Sequence, residues 1–213
     1  MMNYFGISKK KEKGCPLGLI NMALYDAFYS EREVKKISYG NFPWYANAST
    51  RQPHEKFPSD MCLIVKERNI DFDIRGDSNF FHIVSAEFVA ILKEISADYV
   101  DMQAITVCNA KGDSISEKNY FVIKLKKFSV SEFLNMSSSE FFPSRVDGVG
   151  IKIKKFVVNA HFNHHVFQVD DMSPGHNAVF CSEDFKNSIE ERLLKGIKFI
   201  SVNGRASGAF GEI

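Results

Sequence analysis

The order of apolar and polar positions becomes regular from residue 61 onward. "MCLIVKE" is a short apolar run of strand length, and "FFHIVSAEFVAILKEISADYVDMQAITV" then reads as strand, helix, strand. Phe88, Ile91, Leu92 and Ile95 recur at spacings of three and four, the stripe of a helix with one buried face. Ser85 stands at the expected N-cap, with Glu87 in the first turn facing the positive end of the helix dipole. Val100, Met102, Ala104 and Thr106 then alternate with Asp101, Gln103, Ile105 and Val107, which predicts a strand with one face partly wet.

Nearly the same pattern returns in "AVFCSEDFKNSIEERLLKGIKFISV", with Ser182 at the cap position and Phe185, Ile189 and Leu193 on the apolar face. Ser85 and Ser182, Phe88 and Phe185, Leu92 and Ile189, and Val100 and Ile197 are all 97 residues apart. A constant offset through cap, core and following strand points to an internal repeat, and two copies are too few for a solenoid. The expected fold is therefore α+β, with mixed or antiparallel sheets and two strand-helix-strand units. Independent use of a common supersecondary pattern is the alternative. Between the units, "YFVIKLKKFSV", "IKIKKFVVNAHF" and "HHVFQVD" predict further strands. Lys124, Lys126, Lys127, Lys152, Lys154 and Lys155 would line their solvated faces or guarded edges.

Residues 1–58 read as an irregular, aromatic segment, residues 59–204 as the main α+β domain, and residues 205–213 as a flexible tail. Within the first, "LINMALYDAFYSEREVKKI" predicts a helix from the partial stripe Leu19, Met22, Ala23 and Phe28. Three prolines in "YGNFPWYANASTRQPHEKFPSD" then predict an extended connection. Its aromatic residues, Trp44 and Tyr45 above all, are candidate anchors for a partner.

Bulk properties narrow the function. A chain of 213 residues suffices for one large domain, and its net charge of +1 points to neither nucleic acid nor an anionic membrane. Cys15, Cys62, Cys108 and Cys181 are widely separated, with no CxxC pair, so a zinc ribbon or redox motif is not expected. A reducing, cytoplasmic location fits that usage. The basic-then-apolar start is interrupted by Pro16, Gly18 and Asn21, unlike a signal peptide, and no run approaches a membrane span.

The most suggestive chemistry is "HFNHH", which places His161, His164 and His165 within five residues, with His176 in the turn "SPGHN". Catalytic zinc takes three protein ligands, and a strand or hairpin brings at most two of these imidazoles together locally. A metal-dependent hydrolase using His161, His165 and His176 is thus the alternative reading, and a polar hairpin tip the simpler one. Asp71, Asp73 and Asp77 in "DFDIRGD" lack the spacing of a calcium loop but offer carboxylates to a basic partner. There is no Gly-rich phosphate loop and no GxSxG elbow, so no cofactor is expected.

Residues 80–202 resemble immunity proteins of bacterial polymorphic toxin systems, specifically a family long catalogued only as a domain of unknown function. The likeness rests on "FHIVSAEFVAILKEISADYVDMQAITV", "YFVIKLKKF", "IKKFVVN", "HVFQVD" and the ending, where Ser182, Phe185, Gly196, Ile197 and Phe199 match the family's pattern. In "SEFLNMSSSEFF" the chain departs from it, with Asn135 and a serine run where the family carries aspartate before serine. The resemblance implies a binder without catalysis, whose partner is a toxin domain encoded by a neighbouring gene and is neutralised by occlusion. Trp44, Tyr45, Asp71, Asp73 and Asp77 are the candidate contact residues.

Overall fold

Two serines open the two long helices in the same way. Ser85 precedes Ala86–Glu94 and Ser182 precedes Glu183–Glu191; both are in extended backbone, and each Oγ accepts the N–H three residues on, from Phe88 at 3.2 Å and from Phe185 at 3.3 Å. This satisfies one of the N–H groups that a helix start leaves open. The helices also end alike. Ser96 (φ 52°) and Leu193 (φ 55°) turn left-handed, and the N–H groups of Ala97 and Leu194 reach back to the carbonyls of Leu92 and Ile189.

The computed structural model describes residues 2–16, 22–36, 56–67, 69–77, 81–143, 150–172, 178–203 and 205. Its first strands are β1 (Tyr4–Lys9), β2 (Met22–Tyr25), β3 (Cys62–Val65), β4 (Ile74–Asp77) and β5 (Phe81–Ser85). Next come β6 (Tyr99–Cys108), β7 (Tyr120–Leu125), β8 (Lys127–Phe128) and β9 (Glu140–Phe141). The last are β10 (Ile153–Lys155), β11 (Val166–Val169), β12 (Val179–Ser182) and β13 (Ile197–Ser201). The described helices are α1 (Glu31–Val34), α2 (Ala86–Glu94), α3 (Val130–Phe133) and α4 (Glu183–Glu191).

The strands form a six-stranded sheet in the order β2-β3-β6-β7-β5-β4, a five-stranded sheet β13-β1-β12-β11-β8, and the pair β10-β9. Most neighbours are antiparallel, but β3 with β6 and β8 with β11 are parallel, so the sheets are mixed and the fold is α+β. β5 and β6 flank β7, and β12 and β13 flank β1, each antiparallel to its central strand. Each long helix therefore links two parallel strands that are held apart by an antiparallel third.

The helices meet through Phe88 and Phe185, whose rings lie 5.1 Å apart and edge-on, and through the ion pair of Arg192 with Glu94. The ring contact thus joins two residues that stand at the same place in their helices, each three residues after its serine cap. Around them Ile7, Val84, Ile123, Val179 and Ile197 form a core shared by both large sheets. Phe133, Phe162, Phe167 and Phe180 fill a second core, and Leu63, Phe72, Ile83 and Val122 a third. Alternation along the strands separates the cores: Val84 joins the first and Ile83 the third, while Val179 and Cys181 join the first and Phe180 the second.

Among the described residues before residue 58, residues 22–36 differ from their expected form. Residues 22–25, read as helix, form strand β2 against β3, and the helix shrinks to the four residues of α1. β1 lies between β12 and β13 in the five-stranded sheet, so strands from both sides of residue 58 share both large sheets. The strand expected in "IKIKKFVV" is only Ile153–Lys155, with isolated bridges at Ile151, Phe156 and Val158. Residues 206–213 lie outside the described residues.

The paired caps make a direct test. Ser85→Ala and Ser182→Ala should each lower stability by about 1–2 kcal/mol in urea unfolding, since both serines are fully buried. Unchanged midpoints would mean that the caps are not what starts these helices.

Candidate binding surface

The histidine stretch is turn and coil before β11, with no hairpin. The exposed His161 takes part through its backbone, its N–H donating to Asn159 Oδ1 at 3.2 Å. His164 stacks on Phe128 with centroids 4.2 Å apart and meets the edge of Phe162, its Nδ1 3.6 Å from Asp98. Burial and then Lys126 hold its pKa below the ordinary imidazole value, against the opposing pull of Asp98. His165 Nδ1 lies 2.9 Å from Ser182 Oγ, the cap of α4. The stretch thus serves a turn, an aromatic cluster and a helix cap. His176 lies outside the described residues, and among the described residues no group of three or more His, Cys, Asp or Glu is placed to hold a metal ion.

The acidic segment is largely internal. Asp73 is 2% exposed, and its carboxylate accepts from Lys118 Nζ at 2.9 Å and from the Lys195 N–H at 2.6 Å. Asp71 pairs with Lys118 at 2.9 Å and with the Lys195 ammonium. Burial pushes the Asp71 carboxyl upward, but hydrogen bonds from Lys195 and Lys118 outweigh it and hold the pKa below the ordinary value. Asp77 ends β4 opposite Phe81. Asp73 is thus buried, with its charge paired inside the protein.

Beside these aspartates Arg75 is fully buried. Its guanidinium donates to the carbonyls of Pro16 (2.5 Å), Ile74 (2.6 Å), Gly196 (2.9 Å) and Lys10 (3.2 Å), and lies 5.7 Å from the centre of the Phe72 ring. Burial lowers its pKa. Gly196 has φ +78°, and a Cβ there would stand 2.7 Å from Arg75 Nη2. Asp71, Asp73 and Arg75 therefore tie residues 10–16, Lys118 and the turn at 195–196 into one polar knot.

A surface that the sequence reading did not single out lies beside β2. A groove of about 250 Å³ is lined by Met22, Tyr25, Tyr29, Val34 and Ile64, with Glu31 and Lys66 among its charged residues. Edge strand β2 supplies one wall, and α1 another. That helix is started by Ser30, whose N–H donates to Glu33 Oε2 at 2.8 Å. Tyr25 and Tyr29 meet edge-on at 5.7 Å, and the Tyr29 hydroxyl donates to Asp26 at 2.9 Å. Phe28, 44% exposed, lies over Gly112. In the sequence Met22, Ala23 and Phe28 read as part of one helical stripe; the strand-turn-helix path instead sets Met22 and Ala23 along the groove with Tyr25 and Tyr29. Trp44 and Tyr45 lie outside the described residues.

The strand lysines are in part paired, Lys126 with Asp98, Lys127 with Asp170 and Lys154 with Glu140. No described helix is long and apolar enough to cross a membrane. A family model described as immunity protein 43 matches residues 7–207. No curated protein matches the chain.

Proposed function

Because the chain belongs to the immunity protein 43 family, we propose that it binds a cognate bacterial toxin domain, encoded by a neighbouring gene, and neutralises it by occlusion without catalysis. The observation that carries this reading is the extent of the family match, which takes in both large sheets and every described helix. The scaffold suits the task. Three apolar cores fix the strands, and a fixed surface binds without losing much conformational freedom.

The proposed contact is the β2–α1 groove with Phe28 and Tyr29, joined by Trp44 and Tyr45. Large aromatic side chains dominate interface energetics because each removes much apolar area from water while holding few rotamers. With a net charge of +1, attraction to the toxin rests on shape and apolar burial more than on long-range steering, so binding should depend weakly on salt. The protein acts in the cytoplasm, with neither nucleic acid nor membrane as its target.

Growth rescue tests this. The neighbouring toxin domain is expressed in sensitive cells with the intact chain, with His161, His165 and His176 changed to alanine, with Phe28→Ala plus Tyr29→Ala, and with Trp44→Ala plus Tyr45→Ala. The intact chain and the histidine variant should rescue. Each aromatic double variant should bind at least about 30-fold more weakly, the loss of a single hot spot. Failure of the folded intact chain to rescue would sink the immunity assignment for that toxin, and unchanged binding by both aromatic variants would move the contact elsewhere.

A further inference from the structure

Cys62 and Cys108 lie on the neighbouring parallel strands β3 and β6, both 1% exposed, with their Sγ atoms 3.1 Å apart. Cys62 stands opposite Thr106, and Cys108 opposite Ile64. With a side-chain period of two, all four residues point to one face, and the sulfurs lean together across the diagonal of the ladder. A disulfide spans about 2.05 Å, so the sulfurs must close by roughly 1 Å, and because the pair is diagonal the two strands must also shift toward each other to let them. The other cysteines are placed elsewhere. Cys15 packs in the third core with its Sγ 3.5 Å from the Asp71 carbonyl, and Cys181 is buried in the shared core around the helices.

We propose that Cys62 and Cys108 are a paired dithiol that closes to a disulfide when a disulfide oxidant reaches the β3–β6 seam, fastening the β2–β3 edge and its groove to the sheet. One thiolate attacks a sulfur of the oxidant, breaking its S–S bond and forming a mixed disulfide as the first oxidant thiolate leaves. The second cysteine then attacks that mixed disulfide and expels the other oxidant thiolate. The pair loses two electrons and two protons, and the oxidant is reduced to two thiols. Burial pushes the Cys62 thiol up to about 12, so closure belongs to the moments when β3 is docking on β6 or has come away from it. At rest in a reducing compartment the pair stays open.

The test uses the full chain, refolded from denaturant either with mixed oxidised and reduced glutathione or with excess reductant. Free thiols are then alkylated, and the peptides mapped by mass spectrometry. The oxidised chain should be two hydrogens lighter, carry a single Cys62–Cys108 link with Cys15 and Cys181 alkylated, and unfold at higher urea than the reduced chain. Alkylation of both Cys62 and Cys108 in folded, oxidised protein would overturn the proposal, as would a link from either to Cys15 or Cys181. A Cys62–Cys108 link with an unchanged or lowered urea midpoint would overturn the fastening role.

Discussion

Replacing Arg75 by alanine is expected to cost about 3–5 kcal/mol, a large share of the roughly 5–15 kcal/mol that holds a domain folded. The guanidinium is fully buried and answers four main-chain carbonyls at once, from Lys10, Pro16, Ile74 and Gly196. Without it, those carbonyls lose the guanidinium in a buried site, Gly196 keeping only the Lys10 N–H, and the vacated volume adds a cavity penalty. Arg75→Lys should recover only part of the loss, because an ammonium on a flexible stem cannot match the planar fork. Gly196→Ala should act in the same direction through a second route, combining a left-handed φ of +78° with a Cβ 2.7 Å from Nη2. Urea unfolding measures all three. A cost below about 1 kcal/mol for Arg75→Ala would show that the carbonyls find other donors and that the knot is not what joins these segments.

The second large effect is acid sensitivity centred on His82. This imidazole is 1% exposed on β5, with neither ring nitrogen hydrogen-bonded among the described residues. It packs against Gly76 of β4, where a Cβ would lie 2.7 Å from its ring. Burial, and then the charge of Lys127, lower its pKa from 6.5 to about 3. The unfolded chain therefore binds a proton below pH 6.5 that the folded chain refuses until about pH 3. Stability from this group is complete above pH 6.5 and falls as the pH drops toward 3, by about 5 kcal/mol in all. His82→Leu removes the proton site while filling similar space. Urea midpoints between pH 7.5 and pH 4 should thus fall steeply for the natural chain and less for the variant. Parallel curves would assign the acid sensitivity to other groups.

The two helix units were legible because several local signals agreed. At each, a serine cap and a first-turn acid specified the same start, and Phe88, Ile91, Leu92, Phe185 and Ile189 are buried as expected. Leu193, expected on the apolar face, instead turns left-handed beyond the helix and is 82% exposed. β1 and β2 were not legible. "YFGISK" carries Gly6 in its interior, and "MALY" is a short apolar run equally suited to helix, so only pairing with strands far along the chain decides their state. The histidines show the limit from the other side. Their spacing is real, but the turn sends His164 to Phe128 and His165 to Ser182, and spacing alone does not fix direction in a loop. Asp71 and Asp73 were noticed for their charge, whereas their partners Lys118 and Lys195 lie too far along the sequence to be matched with them by pattern.

The position of β1 also bears on how the protein is made. Its partners β12 and β13 lie far along the chain, so Tyr4 and Ile7 are synthesised well before the strands that flank them and wait for them. At elongation speeds of roughly 5–20 residues per second, the stretch between β1 and β13 keeps them waiting on the order of tens of seconds. During it the apolar edge of β1 is open to chaperones and to wrong partners. The five-stranded sheet, and with it the finished fold, is reached only after Ile197–Ser201 has left the ribosome.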